Sequence, residues 1–431
     1  MKVQKSGELS AFGGINFVFE HLKSNEIGKV IEGSLPQVAK QSTYTWSDIF
    51  HSLLSIYMCG GDSIEDLGTH LAPHFKNNPF IKMPSPDTVL RRLTQIADDE
   101  KICKTERGTV KHKFNNNRFL EQLNIRILKK LKAFNHNDNV IDYDCTIIES
   151  EKKDCSMTYK RYMGYQPGVC TLNEENILFL ENRGGNSDAK AFQHETLLRV
   201  FGLLKNNGIA KSAHFRADAA SYQYRVVKLV EENVDNFYIG CRNSYVEKYF
   251  SQIDNWQKMY DENGEVMQVG QIRITPFSRQ ALKEQKQPKE YRLVVKRKIK
   301  QDKQMQLFTN DACEYRAILT NNEDLTAVEI ANFYNHRGNM ERQFDIMKND
   351  FGWNKMPFSK MSSNTVFLYF MAICKNLYNN IINFFSRKVK GLKPTSRIKK
   401  FIFCFIILPA KWINRSRSKY LRVYGQLSFK T

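Results

Sequence analysis

Between Asn139 and Val234 the hydrophobic pattern changes period, and this change limits the possible folds more than any other feature of the chain. Val140 to Ile148 is β-branched and apolar. Gly168-Val-Cys-Thr-Leu and Ile177-Leu-Phe-Leu-Glu follow, separated by the turn-like Asn173-Glu-Glu-Asn. Ala191 to Leu204 then has helical spacing, Ser212 to Ala217 reads as a short strand, and Tyr222 to Val234 as a second helix. Three strands, a helix, a strand and a helix predict an α/β sheet domain over residues 136–235.

The flanking regions have other periods. Residues 1–135 read as a mostly helical N-terminal domain, with apolar spacing in Trp46, Ile49, Leu53, Leu54 and Tyr57 and again in Phe119, Leu123, Ile127 and Leu131. Ser63, three residues before Asp66, suggests a capped start. Pro84-Ser85-Pro86-Asp87 breaks the chain before a short basic helix carrying Arg91 and Arg92. These elements suit either a helix-turn-helix or an ordinary helical bundle with exposed arginines. Residues 236–325 are strand-rich, from Phe237-Tyr-Ile-Gly to Tyr315-Arg-Ala-Ile-Leu, and are crossed by the charged stretch Lys283 to Lys303; they predict an inserted β-rich subdomain. Helix returns over 326–386, from Ala327 to Lys348 and from Thr365 to Phe385. The C-terminal region, 387–431, is expected to be basic and helical: it holds 13 Lys and Arg and no Asp or Glu.

Charge narrows the partner. The chain has 431 residues, 65 Lys plus Arg against 45 Asp plus Glu, a net charge of +20 and a pI near 9.4. Hydrophobic residues make up 42%, enough for a packed core in two or three domains. Such an excess of base points to nucleic acid or an anionic membrane. The membrane is the weaker reading, because the best apolar run, Phe401 to Leu408, is far too short to span and Met1-Lys-Val-Gln-Lys lacks the apolar core of a signal peptide. Nine scattered cysteines without a CxxC pair suggest neither a disulfide framework nor a zinc site, so the expected compartment is the reducing cytoplasm.

Against this background a few residues stand out as candidates for chemistry. Asp142 and Asp144 lie in a run that otherwise reads as a central strand, where carboxylates need compensation by a metal ion or a basic partner. The two share a face, while Cys145 points the other way. Asp218 follows a strand at the point where ligand sites collect in open α/β sheets; a helix N-cap is the simpler reading. Tyr334, Arg337, Glu341 and Lys348 are spaced 3, 4 and 7 and share one face of the expected helix. A solvated, salt-bridged face explains them, and so does a metal-ligating carboxylate bordered by phosphate contacts. Trp353 and Trp412 are candidates for base stacking or for packing.

With these motifs the chain resembles the DDE transposases of bacterial insertion sequences, in the group marked by Tyr-(2)-Arg-(3)-Glu-(6)-Lys. Asp144-Cys-Thr146 matches that family's first Asp, Phe215-Arg-Ala-Asp218 the second, and Glu341 the Glu. The likeness extends through Tyr162-Met-Gly-Tyr165-Gln-Pro167 and Glu181-Asn-Arg183-Gly-Gly-Asn186. The family pattern favours Asp144 over Asp142. The resemblance implies an α/β, ribonuclease-H-like mixed-sheet core whose β-rich insertion falls between the second Asp and the Glu. It further implies that Asp144, Asp218 and Glu341 hold two Mg2+ ions (Mn2+ as a substitute), and that Tyr334, Arg337 and Lys348 bind the cleaved strand. The expected partners are double-stranded DNA, as the element's inverted repeats and as target, and a second copy of the chain pairing two ends. A related nuclease without strand transfer, or a non-catalytic DNA-binding relic, are the alternatives.

Overall fold

The computed structural model describes residues 9–104, 109–135, 138–209, 212–260, 264–299 and 313–425. The N-terminal Met1-Lys-Val-Gln-Lys, Lys300 and Lys303 of the charged stretch and Lys430 of the tail lie outside the described residues.

Five strands form the centre of an eleven-stranded sheet. The first, Val140–Cys145, pairs antiparallel with the second, Gly168–Leu172, and parallel with the fourth, Ser212–Ala217. The third, Asn176–Arg183, lies antiparallel outside the second, and the fifth, Val234–Cys241, lies parallel outside the fourth. Helices Gln193–Asn206 and Tyr224–Asn233 make the two crossovers that the parallel pairs require. This order, third-second-first-fourth-fifth, is the expected ribonuclease-H-like arrangement. The alternation of the strands explains its packing. Ile141, Tyr143, Phe215, Ala217, Phe237 and Ile239 face one core, into which the second crossover helix sends Val226, Val227, Leu229 and Val230.

Phe237 to Gly240, which the sequence pattern places at the start of the insertion, belongs to the fifth strand. The insertion is also no detached subdomain. Strands Cys313–Thr320, Tyr291–Ile299, Val266–Ile274 and Gln257–Tyr260 continue the same sheet antiparallel beyond the fifth strand, covering an edge that would otherwise expose its backbone groups. At the opposite edge, two short strands within the N-terminal region, Lys101–Lys104 and Lys111–Asn115, join the third strand only at its end. Helix side chains cover the rest of that strand: Asn376 both donates to and accepts from the backbone of Ile177, Asn124 donates to the Ile177 and Leu178 carbonyls, and the Tyr369 hydroxyl accepts from the Leu180 N–H.

Those asparagines tie the sheet to a helical layer. Met361–Ser386 is 26 residues long and buried on nearly every side, as a helix hydrophobic all round should be. Around it pack Ile15–Ser24, Trp46–Met58 (closed by a Thr45/Asp48 capping box), Pro86–Thr94 and Arg118–Lys130, in one core that also takes Val169, Ile177 and Leu180 from the sheet. Trp353 is fully buried here and donates to the Leu368 carbonyl, so it packs and does not stack on bases. Asp66 accepts from the N–H groups of Asp62 and Ser63, closing the turn that Ser63 was expected to start. Arg92 is turned inward onto Trp46 and Ser42, whereas Arg91 is exposed.

The C-terminal region is helical only in part. After a short helix, Ile398–Phe401, residues Ala410–Arg415 and Ser418–Val423 form an antiparallel hairpin about the two-residue turn Ser416-Arg417. Among the described residues no helix is long and apolar enough to cross a membrane.

Candidate active site

Asp144 and Asp218 sit at the carboxyl ends of the neighbouring first and fourth strands, one step beyond the last parallel pair, Tyr143 and Ala217. Asp218 uses one oxygen to accept from the Ala220 N–H at 2.9 Å, which is the N-cap expected of it, on a tight turn. Asp144 accepts from its neighbour Cys145 N–H at 2.7 Å and, through Oδ2, from Arg337 Nη1 at 3.1 Å. Burial and then the charge of Asp218 push the Asp144 carboxyl up to about 7; Glu341 adds to this, while Arg337 and the Cys145 N–H oppose it.

Arg337 belongs to a segment that departs from the sequence expectation. The continuous helix from Ala327 to Lys348 is broken into Ala327–Asn335, a tight turn at His336–Gly338, and Asn339–Asp350. Arg216 Nη1 takes the Phe333 carbonyl at 2.8 Å, an acceptor that a continuous helix would give to residue 337. The four signature residues therefore occupy three elements. Tyr334 lies in the last turn of the first helix and donates to the Ala217 carbonyl at 3.2 Å; Arg337 sits in the tight turn. Glu341 is exposed in the first turn of the second helix, and Lys348 is in its last turn. Burial and the nearby charge of Lys160 lower the Lys348 pKa.

Asp142 lies on the same strand face but has other partners. Arg216, opposite it in register on the fourth strand, grips both of its oxygens, with Nε–Oδ1 at 2.6 Å and Nη2–Oδ2 at 2.8 Å. The same guanidinium takes Glu174 at 2.8 Å. Glu174 accepts from Asn339 at 2.6 Å, and its carbonyl accepts from Gln343 at 2.9 Å. A continuous polar chain thus runs from the first strand to the helix that carries Glu341. Gly240 completes the site from the fifth strand: a Cβ there would stand 2.4 Å from the Tyr334 hydroxyl. Arg216, Glu174 and Gly240 escaped the sequence pattern. The one available signal was a pair of opposite charges set into two apolar strands.

Asp144, Asp218 and Glu341 offer only oxygen, which suits a hard cation. Among the described residues, no three His, Cys, Asp or Glu side chains are gathered closely enough to hold one ion.

The ribonuclease-H-like sheet is the core expected of the class of DDE enzymes. The chain belongs to one family of that class: residues 1–402 match the family described as Transposase DDE domain group 1. Members of such families cleave DNA and transfer strands, generally with divalent metal ions. Among solved structures the chain is similar to a piggyBac transposase, seen by cryo-electron microscopy in a synaptic complex with hairpin DNA. The identity is 9% and the TM-score 0.44, over 91% of this chain and 78% of that one. No curated protein matches the sequence.

Proposed function

We propose that the protein binds the terminal inverted repeats of its own insertion sequence, cleaves the DNA at the element ends and joins the 3′-hydroxyl ends to target DNA. The observation that supports this most is the Arg337–Asp144 pair, which brings the signature turn onto the strand ends where Asp144 and Asp218 lie side by side.

Asp144, Asp218 and Glu341 are the residues that would hold divalent cations, Mg2+ or its substitute Mn2+. When bound, such ions activate the attacking water or 3′-hydroxyl and stabilise the leaving oxygen. Asp142 is not among the ligands in this reading, because it is fully buried together with Arg216, which neutralises it, whereas Asp144 remains partly exposed at the strand end. Arg337 carries a planar fork of donors that suits a phosphate as well as a carboxylate, so it holds the scissile strand against Asp144. Tyr334 and Lys348 position the same strand on either side of Glu341. Exposed bases of the N-terminal helices, the insertion and the tail hold the rest of the duplex, and two copies pair two ends in the cytoplasm.

The test is cleavage of a duplex carrying the repeat that flanks the coding region, followed by strand transfer from a pre-cut end. Glu341→Gln should abolish cutting and joining while leaving DNA binding intact. Cutting at the wild-type rate would remove Glu341 from the site. Cutting without any joined product would make the protein a nuclease.

A further inference from the structure

The C-terminal hairpin has two unlike faces. Ala410, Trp412, Leu421 and Val423 share one, as their register dictates, and this face docks on the N-terminal helices. Ala410 is fully buried and bridged to Ser10, and Trp412 donates to Asn16 at 3.2 Å and packs on Phe80. The opposite face carries the rows Lys411–Arg422, Ile413–Tyr420 and Arg415–Ser418, and Tyr420 is 52% exposed.

The two-residue turn at the tip, Ser416-Arg417, has φ of 49° and 64°. Glycine or asparagine favours such a turn, so an arginine there accepts strain to place a cation at the tip. The whole hairpin contains no Asp or Glu. Among the described residues Lys411, Arg415, Arg417, Lys419 and Arg422 form no ion pair. Arg397 of the same tail, by contrast, is consumed by Asp345 and Asp350. The hairpin also lies beyond residue 402, where the family match ends.

We infer that residues 410–423 form a duplex-DNA-binding ribbon that lies in the major groove. Two strands about 4.8 Å apart fit a groove about 12 Å wide. Lys411, Arg415 and Arg422 then reach the phosphates on its rims, Arg417 leads into it, and Ile413 and Tyr420 meet base edges and sugars. The inference rests on the transposase reading only for the choice of DNA as the polyanion.

The test compares the wild-type chain with the triple variant Arg415→Ala, Arg417→Ala, Arg422→Ala, all exposed positions whose loss leaves the docking face intact. The probe is a short fluorescent duplex titrated between ~50 and ~200 mM salt. Each lost phosphate contact should lower the slope of log affinity against log salt by about 0.9, so the slope should fall by roughly 2 to 3. Dimethyl sulfate protection of guanine N7, a major-groove atom, should be present with the wild type and lost with the variant. An unchanged slope, or no N7 protection by the wild type, overturns the inference. So does an unchanged slope together with variant-sensitive binding to phosphatidylserine vesicles, which would assign the ribbon to a membrane. If the wild type binds no duplex at all, the transposase reading itself falls; if it binds and cuts DNA while the slope stays put, only the ribbon does.

Discussion

Arg216 and Asp142 meet in register across two parallel strands, both fully buried, with the guanidinium holding both carboxylate oxygens. Two residues further along the same strand, Asp144 turns to Arg337. Two acids that look equivalent in the sequence are thereby separated into one that holds the sheet and one that faces the strand ends.

The two acids should respond oppositely to neutralisation. Asp142→Asn leaves Arg216 as an underpaired buried charge, and removing one partner of such a pair costs ~3–5 kcal/mol. Asp144 has a folded pKa raised from 3.8 to about 7, so its ionised form costs stability above pH 7, and the cost disappears as pH falls toward 4. Asp144→Asn should therefore raise the melting temperature at pH 8 while abolishing cleavage. Urea and thermal unfolding of both variants check this; equal destabilisation would contradict the division.

Gly240→Ala should fold but act poorly. Its Cβ would stand 2.4 Å from the Tyr334 hydroxyl and 3.2 Å from the Ala219 nitrogen, so the tyrosine must leave its bond to Ala217. A displacement of about 1 Å near reacting groups costs on the order of a hundredfold in rate. Cleavage rate and circular dichroism measured together decide it, and a fully active variant would show that Tyr334 can move freely.

Lys375 lies inside the long helix, bonded to the Glu175 carbonyl, and burial lowers its pKa from 10.5 to about 7. Between those values the unfolded chain holds a proton that the folded chain lacks, so stability rises with pH across that window, by up to ~5 kcal/mol. Lys375→Met should remove the slope. Its advantage over the wild type should be largest below pH 7 and shrink toward pH 10. A constant difference in urea midpoints across that range would refute the assignment.

Both ring nitrogens of His51 are buried beside Phe19 and Phe50 without a hydrogen-bond partner among the described residues, and this burial lowers its pKa from 6.5 to about 4. The unfolded chain gains its proton first, so stability is lost as pH falls from 6.5 to 4, by ~3 kcal/mol. His51→Phe should flatten that acid limb. Parallel limbs in the two proteins would mean that other groups carry it.

Local pattern determined much of this protein. The β-branched and apolar runs at 140–145, 168–172 and 212–217, and the period-3.6 runs between and after them, depend on neighbours a few residues away, and the structure has those elements. The spacing of Tyr334, Arg337, Glu341 and Lys348 was likewise visible, but its reading as one helix was not correct. The break at His336–Gly338 is linked to Arg216, a residue 117 positions earlier that takes the Phe333 carbonyl. The same distance hid the separation of Asp142 from Asp144, the fifth strand's claim on Phe237 to Gly240, and the fit of Tyr334 over Gly240. Hydrophobic periodicity is a local property, so sequence alone could determine the elements. Which charge meets which is settled only when strands 74 residues apart lie side by side, and that was decided by the tertiary structure.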